Sequence, residues 1–137
     1  MRKVIGGALV QDKKLVVVRK EKNGKSSWIL PGGKPEVGES NLEALARELK
    51  EELPFLYLES SFSYYKIFHG TSPNKGEVIE NIVYLYKNPS KLDLRVSGNS
   101  DEPIKEARLL IYEELSQLEL SDTTKQIVQS LRRDSYL

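Results

Sequence analysis

The stretch that most constrains the fold is a glycine-rich loop that runs into a short helix between Gly32 and Phe55. Ser40 is a good N-cap, and Glu43, three residues later, completes a capping box. The helix is therefore predicted to begin at about residue 40. Pro54 is predicted to end it, because proline cannot continue the helical hydrogen-bond ladder.

The predicted helix has an apolar face and an acidic face. On a helical wheel the arc suited to burial holds Leu42, Leu45, Ala46, Leu49 and Leu53. Glu48, Glu51 and Glu52 share the adjacent arc, where they repel one another in the half of the helix whose dipole disfavours anions. Helix stability does not explain them, but Mg²⁺ or Mn²⁺ would, because hard divalent cations take oxygen ligands and keep waters that a phosphate can displace.

A solvated acidic surface is the alternative, and Glu-x-x-Glu-Glu alone most often has that meaning. The loop before it favours metal binding, because the fixed residues and their spacing resemble the signature of the Nudix hydrolases. The matching positions are Gly33, Glu39, Arg47, Glu48, Leu49, Glu51 and Glu52. Pro54 departs from the pattern by standing where the family usually has a glycine, so a shifted exit turn is predicted, with the acidic face intact.

The resemblance implies a single domain over residues 1–137, of the α/β class, built as an α/β/α sandwich with a mixed central sheet. It also implies hydrolysis of a nucleoside diphosphate linked to another moiety, with Mg²⁺, or alternatively Mn²⁺, as cofactor. The implied metal ligands are the Gly32 carbonyl and the carboxylates of Glu48, Glu51 and Glu52, with Asp101 and Glu102 as further candidate ligands.

Other roles follow from the same resemblance. In the family the general base is a glutamate at the position of Glu48 or a carboxylate from a later loop, and Asp101 and Glu102 are the later candidates here. Their alternative role is in a turn ahead of a proline. Arg47 is expected to orient one of the glutamates of the Nudix-like signature through a charge-assisted hydrogen bond. Gly33 and Glu39 are expected to belong to the loop–helix scaffold.

Three residues near the loop are candidates for substrate contacts. Trp28 either stacks on a base or fills an edge of the core. Lys34 either neutralises phosphate charge or is solvated. Arg19, from the basic segment 19–27 that also holds Lys20 and Lys25, either meets phosphates or lies in a solvated turn. The lone histidine, His69, is interpreted as structural or exposed.

The remaining chain alternates predicted strands and helices. Val78–Tyr86 is apolar on both alternations except at Glu80 and Asn81, which are edge residues or point into a cleft. Further strands are predicted at Val4–Val10, Leu15–Val18 and Ala107–Ile111, an extended segment at Tyr57–Phe68, helices at Tyr112–Leu115 and from Ser121 or Asp122 to Arg133, and loops at Arg19–Ser27, Gly70–Gly76 and Lys87–Pro103.

Composition excludes several classes of protein. The 137 residues suit one domain, and 21 basic residues nearly balance 20 acidic ones, so no global field favours nucleic acid or membrane. The absence of cysteine excludes disulfides and thiol nucleophiles. No apolar run approaches membrane-spanning length, so a soluble cytoplasmic protein is expected.

The substrate has several candidates. The compact chain most resembles MutT-type members, which convert nucleoside triphosphates to monophosphate and pyrophosphate. An ADP-ribose or nucleotide-sugar pyrophosphatase is the rival, although Pro73 does not match the spacing of the proline that often marks that subgroup. A catalytically silent nucleotide sensor is a third interpretation, against which the intact set of glutamates argues. For the oligomeric state, family analogy alone suggests a homodimer.

Overall fold

The computed structural model describes residues 1–72, 76–97 and 104–137. Within these ranges the chain forms seven strands and three helices. The strands are β1 (Arg2–Gln11), β2 (Lys14–Lys22), β3 (Lys25–Ile29), β4 (Gly32–Gly33), β5 (Ser63–Thr71), β6 (Val78–Lys87) and β7 (Ile104–Ile111). The helices are α1 (Asn41–Glu52), α2 (Tyr112–Leu115) and α3 (Asp122–Arg133).

The strands form one mixed sheet, as predicted. Its main path runs β3-β2-β1-β6-β5, with β4 paired to β1 and β7 paired to β2. The β1–β6 pair is parallel, and the other pairs are antiparallel. The parallel pair brings the start of β1 beside the start of β6, with Val4 opposite Asn81.

The sheet is covered on both faces, which confirms the predicted sandwich. Successive residues of β1 enter opposite cores, because side chains alternate along a strand. Ile5 and Leu9 pack with Leu45 of α1. Ala8 packs with Ile127 of α3. The nearly continuous apolar sequence of β1 therefore reflects burial on both sides.

Helix α1 begins and ends as predicted. The Ser40 hydroxyl accepts from the Glu43 backbone N–H at 3.1 Å, and the Glu43 carboxylate accepts from the Ser40 N–H at 2.9 Å. Leu53 is the C-cap, directly before Pro54. The expected apolar face was too wide, because Leu42 is 43% exposed and Ala46 is also exposed.

Those two residues border a surface cavity of about 440 Å³ rather than the core. The segment after the helix forms its other wall, with Leu56, Leu58 and Phe62. A helical wheel shows which side chains share one arc of the helix. How much of that arc is buried depends on the path of residues 54–62, which the wheel does not contain.

The predicted loop at Arg19–Ser27 is wrong, since this segment forms the β2–β3 hairpin. The turn is Asn23-Gly24, with φ of 53° and 77°. Positive φ at both central residues gives the twist that suits a two-residue hairpin, and Asn-Gly is its strongest sequence signal. The loop prediction had relied on the basic composition of the segment instead of on this turn signal.

The other predicted strands and helices hold with adjusted ends, and the loops predicted at 70–76 and 87–103 lie partly outside the described residues. Helices α2 and α3 lie where expected, and Ser121 caps α3. The extended segment predicted from Tyr57 becomes a strand only at Ser63, preceded by an isolated bridge between Tyr57 and Lys91. No helix among the described residues is long and apolar enough to cross a membrane.

Replacing Gly24 by valine should destabilise the protein through its backbone alone. No atom lies within 4 Å of a Cβ built on Gly24, so the cost comes from its φ of 77°. We expect a loss of about 1–2 kcal/mol in the free energy of unfolding, measured by urea denaturation. Lys25→Val, at an exposed strand position in the same hairpin, is the matched control. Equal losses in both variants would contradict the turn assignment.

Candidate active site

A cavity of about 500 Å³ lies where the loop after β3 meets α1, the sheet and the start of α3. Its volume falls within the range of small-molecule sites. Its acidic end is formed by residues of the glycine loop and of α1, which are Gly32, Gly33, Lys34, Arg47, Glu48, Glu51 and Glu52. The remaining wall is contributed by β1, β2, β6 and the first residues of α3.

Glu48 and Glu52 form a pair of carboxyl groups in hydrogen-bonding contact at the acidic end. Glu52 is only 5% exposed and accepts a hydrogen bond from the Gly32 N–H at 3.1 Å. Burial raises the pKa of Glu52 to about 8, with a further contribution from Glu48, while the charge of Lys20 and the Gly32 N–H act in the opposite direction. At neutral pH this pair therefore holds a proton that two separate glutamates would release.

Two glycines let the loop approach the pair. A Cβ on Gly33 would lie 2.5 Å from the Glu48 carboxyl carbon. Gly32 has a φ of 145°, and a Cβ there would collide with the Ile5 carbonyl of β1. The glycines thus bring the backbone against the acidic face of α1, where a side chain would displace it.

Arg47 ties the loop to the helix. Its guanidinium donates two hydrogen bonds to Glu39, at 2.7 and 3.0 Å, one to Glu48 at 3.0 Å and one to the Lys34 carbonyl at 3.0 Å. The hydrogen bond from Arg47 is the main cause that lowers the pKa of Glu39 to about 2, and its partners raise the pKa of Arg47. These contacts place Arg47 and Glu39 between the loop and α1, and their orienting and scaffold roles stay predictions.

Glu51 lies at the rim of the cavity. Its side chain is 48% exposed and reaches to 3.6 Å from Arg47. Among the described residues no three acidic or histidine side chains come close enough together to enclose a metal ion by themselves. The acidic end therefore offers two converging carboxyl groups and a third at the rim.

Of the predicted substrate residues, Lys34 lines the cavity, but Arg19 and Trp28 lie elsewhere. Arg19 donates to Glu106 at 2.9 Å on the opposite face of β2. Trp28 is 6% exposed in the core, and the Arg108 guanidinium lies 5.0 Å from its ring centroid. The structure thus gives Trp28 its alternative role at a core edge.

Lys20 lines the cavity in place of Arg19. The register between β2 and β7 shifts between Arg19 and Lys20, an irregularity that the local sequence does not signal. Asn81 also lines the cavity, as the cleft interpretation required, whereas Glu80 lies beside His69 at 3.3 Å. Arg2 and Thr123 complete the wall without any local sequence signal, and Asp101, Glu102 and Pro73 lie outside the described residues.

The family model of the NUDIX domain matches residues 1–131. The chain therefore belongs to the Nudix family and is a pyrophosphohydrolase, of a family that acts on nucleoside diphosphates linked to another moiety and generally uses a divalent metal. A comparison with curated proteins finds no match.

Solved structures share the fold over nearly the whole chain. A MutT NUDIX hydrolase from Burkholderia pseudomallei is 25% identical with a TM-score of 0.74, covering 93% of this chain and 95% of that one. A MutT protein from Methanosarcina mazei Go1 is 20% identical, with a TM-score of 0.70 and coverage of 99% and 96%. The NUDIX domain of Shewanella oneidensis NrtR, complexed with ADP ribose, is 14% identical, with a TM-score of 0.76 and coverage of 98% and 88%.

The proton held by Glu52 predicts a pH-dependent stability in the absence of metal. Because the folded pKa of about 8 exceeds the ordinary value of 4.5, the protonated Glu52 carboxyl favours the folded state. Its contribution to the free energy of unfolding is complete below pH 4.5 and is lost as pH rises toward 8. Glu52→Gln has no such proton to lose. Its stability relative to wild type should therefore rise by about 1 kcal/mol or more between pH 5 and pH 8, measured by urea unfolding in EDTA. Glu113→Gln, at an exposed position on α2, is the control, and parallel curves for Glu52→Gln and wild type would contradict the prediction.

Proposed function

We propose that the protein hydrolyses nucleoside triphosphates to monophosphate and pyrophosphate, with Mg²⁺ as cofactor. The observation that carries this proposal is the buried Glu48–Glu52 pair at one end of a cavity of about 500 Å³. Two carboxyl groups in contact, one of them buried, are a natural place for a cation, because the cation removes their repulsion and the cost of burying their charge.

The donor set fits Mg²⁺. This ion is usually held by one or two carboxylates and keeps positions for water and substrate phosphates, so a cage of three side chains is not required. Glu48, Glu52 and the Gly32 carbonyl would hold it, with Glu51 joining from the rim. When bound, it supplies charge to neutralise the phosphoryl oxygens and lowers the pKa of a bound water.

The protein itself contributes orientation and charge. Arg47 fixes the Glu48 carboxylate, and the Glu39 carboxylate fixes Arg47 in turn. Lys20 and Lys34 add positive charge to the wall of the same cavity. Cations beside a metal site suit a polyphosphate, whose negative charge grows with each phosphate group. This arrangement supports the triphosphate as the substrate.

Glu52→Gln should reduce kcat for Mg²⁺-dependent hydrolysis by about 100-fold or more, because the amide cannot supply the charge of the carboxylate. The fold should persist, since the Gln carbonyl oxygen can still accept from the Gly32 N–H. The measurement is steady-state release of pyrophosphate, with circular dichroism as the check on folding. The control is Glu113→Gln on α2, and a wild-type rate in Glu52→Gln would remove this residue from the metal site.

A substrate panel tests the proposal against its rivals. Purified protein is incubated with Mg²⁺ and nucleoside triphosphates, dinucleoside polyphosphates, ADP-ribose or nucleotide sugars, and the products are quantified. We expect the highest kcat/KM with a triphosphate and pyrophosphate as the released product. Preference for ADP-ribose, which the Shewanella oneidensis domain binds, would overturn the proposed substrate. Nucleotide binding without turnover of any compound would favour the sensor interpretation.

A further inference from the structure

Two buried side-chain atoms among the described residues have no hydrogen-bond partner, Arg2 Nε and Asn81 Oδ1. Both residues line the cavity that holds the carboxyl pair. Most buried polar atoms in proteins are hydrogen-bonded, and an unpaired one destabilises the folded state. That the two exceptions share one cavity indicates that a ligand supplies their partners.

The two side chains are neighbours on the same face of the sheet. Arg2 and Val4 are two residues apart on β1, so their side chains point the same way, and Asn81 of β6 lies opposite Val4. Their positions are separated by about 7 Å along the strands and about 5 Å across them. Arg2 Nη1 lies 3.7 Å from the Glu77 carboxylate, but its Nε lacks an acceptor, and Asn81 Oδ1 lacks a donor. The two atoms therefore complement a flat group that carries both a donor and an acceptor.

The unpaired atom of Asn81 is an acceptor. Its Nδ2 donates to the Thr123 hydroxyl at 3.2 Å, and its Oδ1 has no partner. The oxygen lies against β1, at 3.1 Å from the place that a Cβ on Gly6 would take. Rotation about the Cβ–Cγ bond, a torsion with a broad energy profile, is the movement that presents this oxygen to a ligand.

The order of the two groups along the cavity gives the ligand a direction. Gly6 pairs with Gly32, whose N–H contacts Glu52, so the acidic end lies beside Gly6. Asn81 comes next along the sheet, and Arg2 lies farthest away. A nucleotide with its phosphates at the acidic end therefore meets an acceptor first and a donor beyond it.

Resting on the proposed function, we propose that Asn81 and Arg2 select a base whose edge presents a ring N–H and, farther from the sugar, a carbonyl oxygen. Uracil carries this order, with N3–H followed by O4. Cytosine carries the reverse, with an unprotonated N3 followed by an amino group. Cytosine would leave both protein atoms unpaired. The acceptor Asn81 Oδ1 would face the acceptor N3, and the donor Arg2 Nε–H would face the donor amino group.

The test compares UTP with CTP in two ways. Calorimetry with Mg²⁺ and the α,β-methylene analogues of both nucleotides measures binding without cleavage, and kcat/KM with the natural triphosphates measures turnover. We expect a preference for the uracil compound of about 10-fold or more in each measurement. Equal values, or a preference for the cytosine compound, would overturn the inference.

Two variants locate the preference. Asn81→Leu and Arg2→Met should each bring the ratio of UTP to CTP affinities close to one. Asn41→Leu, at a residue that donates to the Tyr84 hydroxyl, and Lys3→Met, at an exposed residue, are the matched controls and should keep the wild-type ratio. A ratio unchanged in both Asn81→Leu and Arg2→Met would assign the selection elsewhere.

The design separates this inference from the proposed function. A protein that binds the uracil analogue preferentially but cleaves neither triphosphate retains the base selection and loses the hydrolytic assignment. A protein that cleaves UTP and CTP equally and binds their analogues equally retains the hydrolytic assignment and loses the base selection. If Asn81→Leu does not fold, the wild-type ratio and Arg2→Met still decide the outcome.

Discussion

The interaction on which the site depends is the enforced closeness of two carboxyl groups, Glu48 and Glu52. Glu52 is almost fully buried, and that burial, with a smaller contribution from Glu48, raises its pKa to about 8. A protein selected for stability alone would replace such a pair with apolar residues. The chain instead builds a glycine loop, a capped helix and an arginine clamp around it, which makes sense if a cation completes the site.

Preorganisation of that site comes from contacts made before any ligand arrives. Arg47 joins Glu39 of the loop to Glu48 of the helix, and Glu52 joins the helix to the loop at Gly32. Gly32 in turn pairs with Gly6 of β1, so the acidic end is anchored to the centre of the sheet. The same strand continues to Arg2, whose Nε has no partner, and one element therefore sets the distance between the acidic end and the proposed base end.

Local chemistry made much of this predictable from sequence. The capping box, the apolar strands and the spaced glutamates depend on neighbours within a few residues, and the structure places them as expected.

Errors arose where a distant element decides the outcome. Leu42 is exposed because residues 54–62 leave a groove beside it, and Trp28 is buried because the segment before α3 pairs with it. Arg19 was preferred to Lys20 because the Asn23-Gly24 turn was overlooked and because the register shift of β2 at these residues depends on β7. Arg2 and Thr123 meet only through the β1–β6 register and the packing of α3, which no local pattern encodes.

The most direct test of a cation-completed carboxyl pair is the titration of the Glu52 side chain itself. Carbon-13 NMR of protein labelled at the glutamate carboxyl groups, with Glu52→Gln to assign the signal, reports its pKa with EDTA and then with Mg²⁺. We expect a value near 8 without metal and one below about 5 with it, because a bound cation favours the ionised form. A pKa that stays near 8 at saturating Mg²⁺ would contradict the central claim.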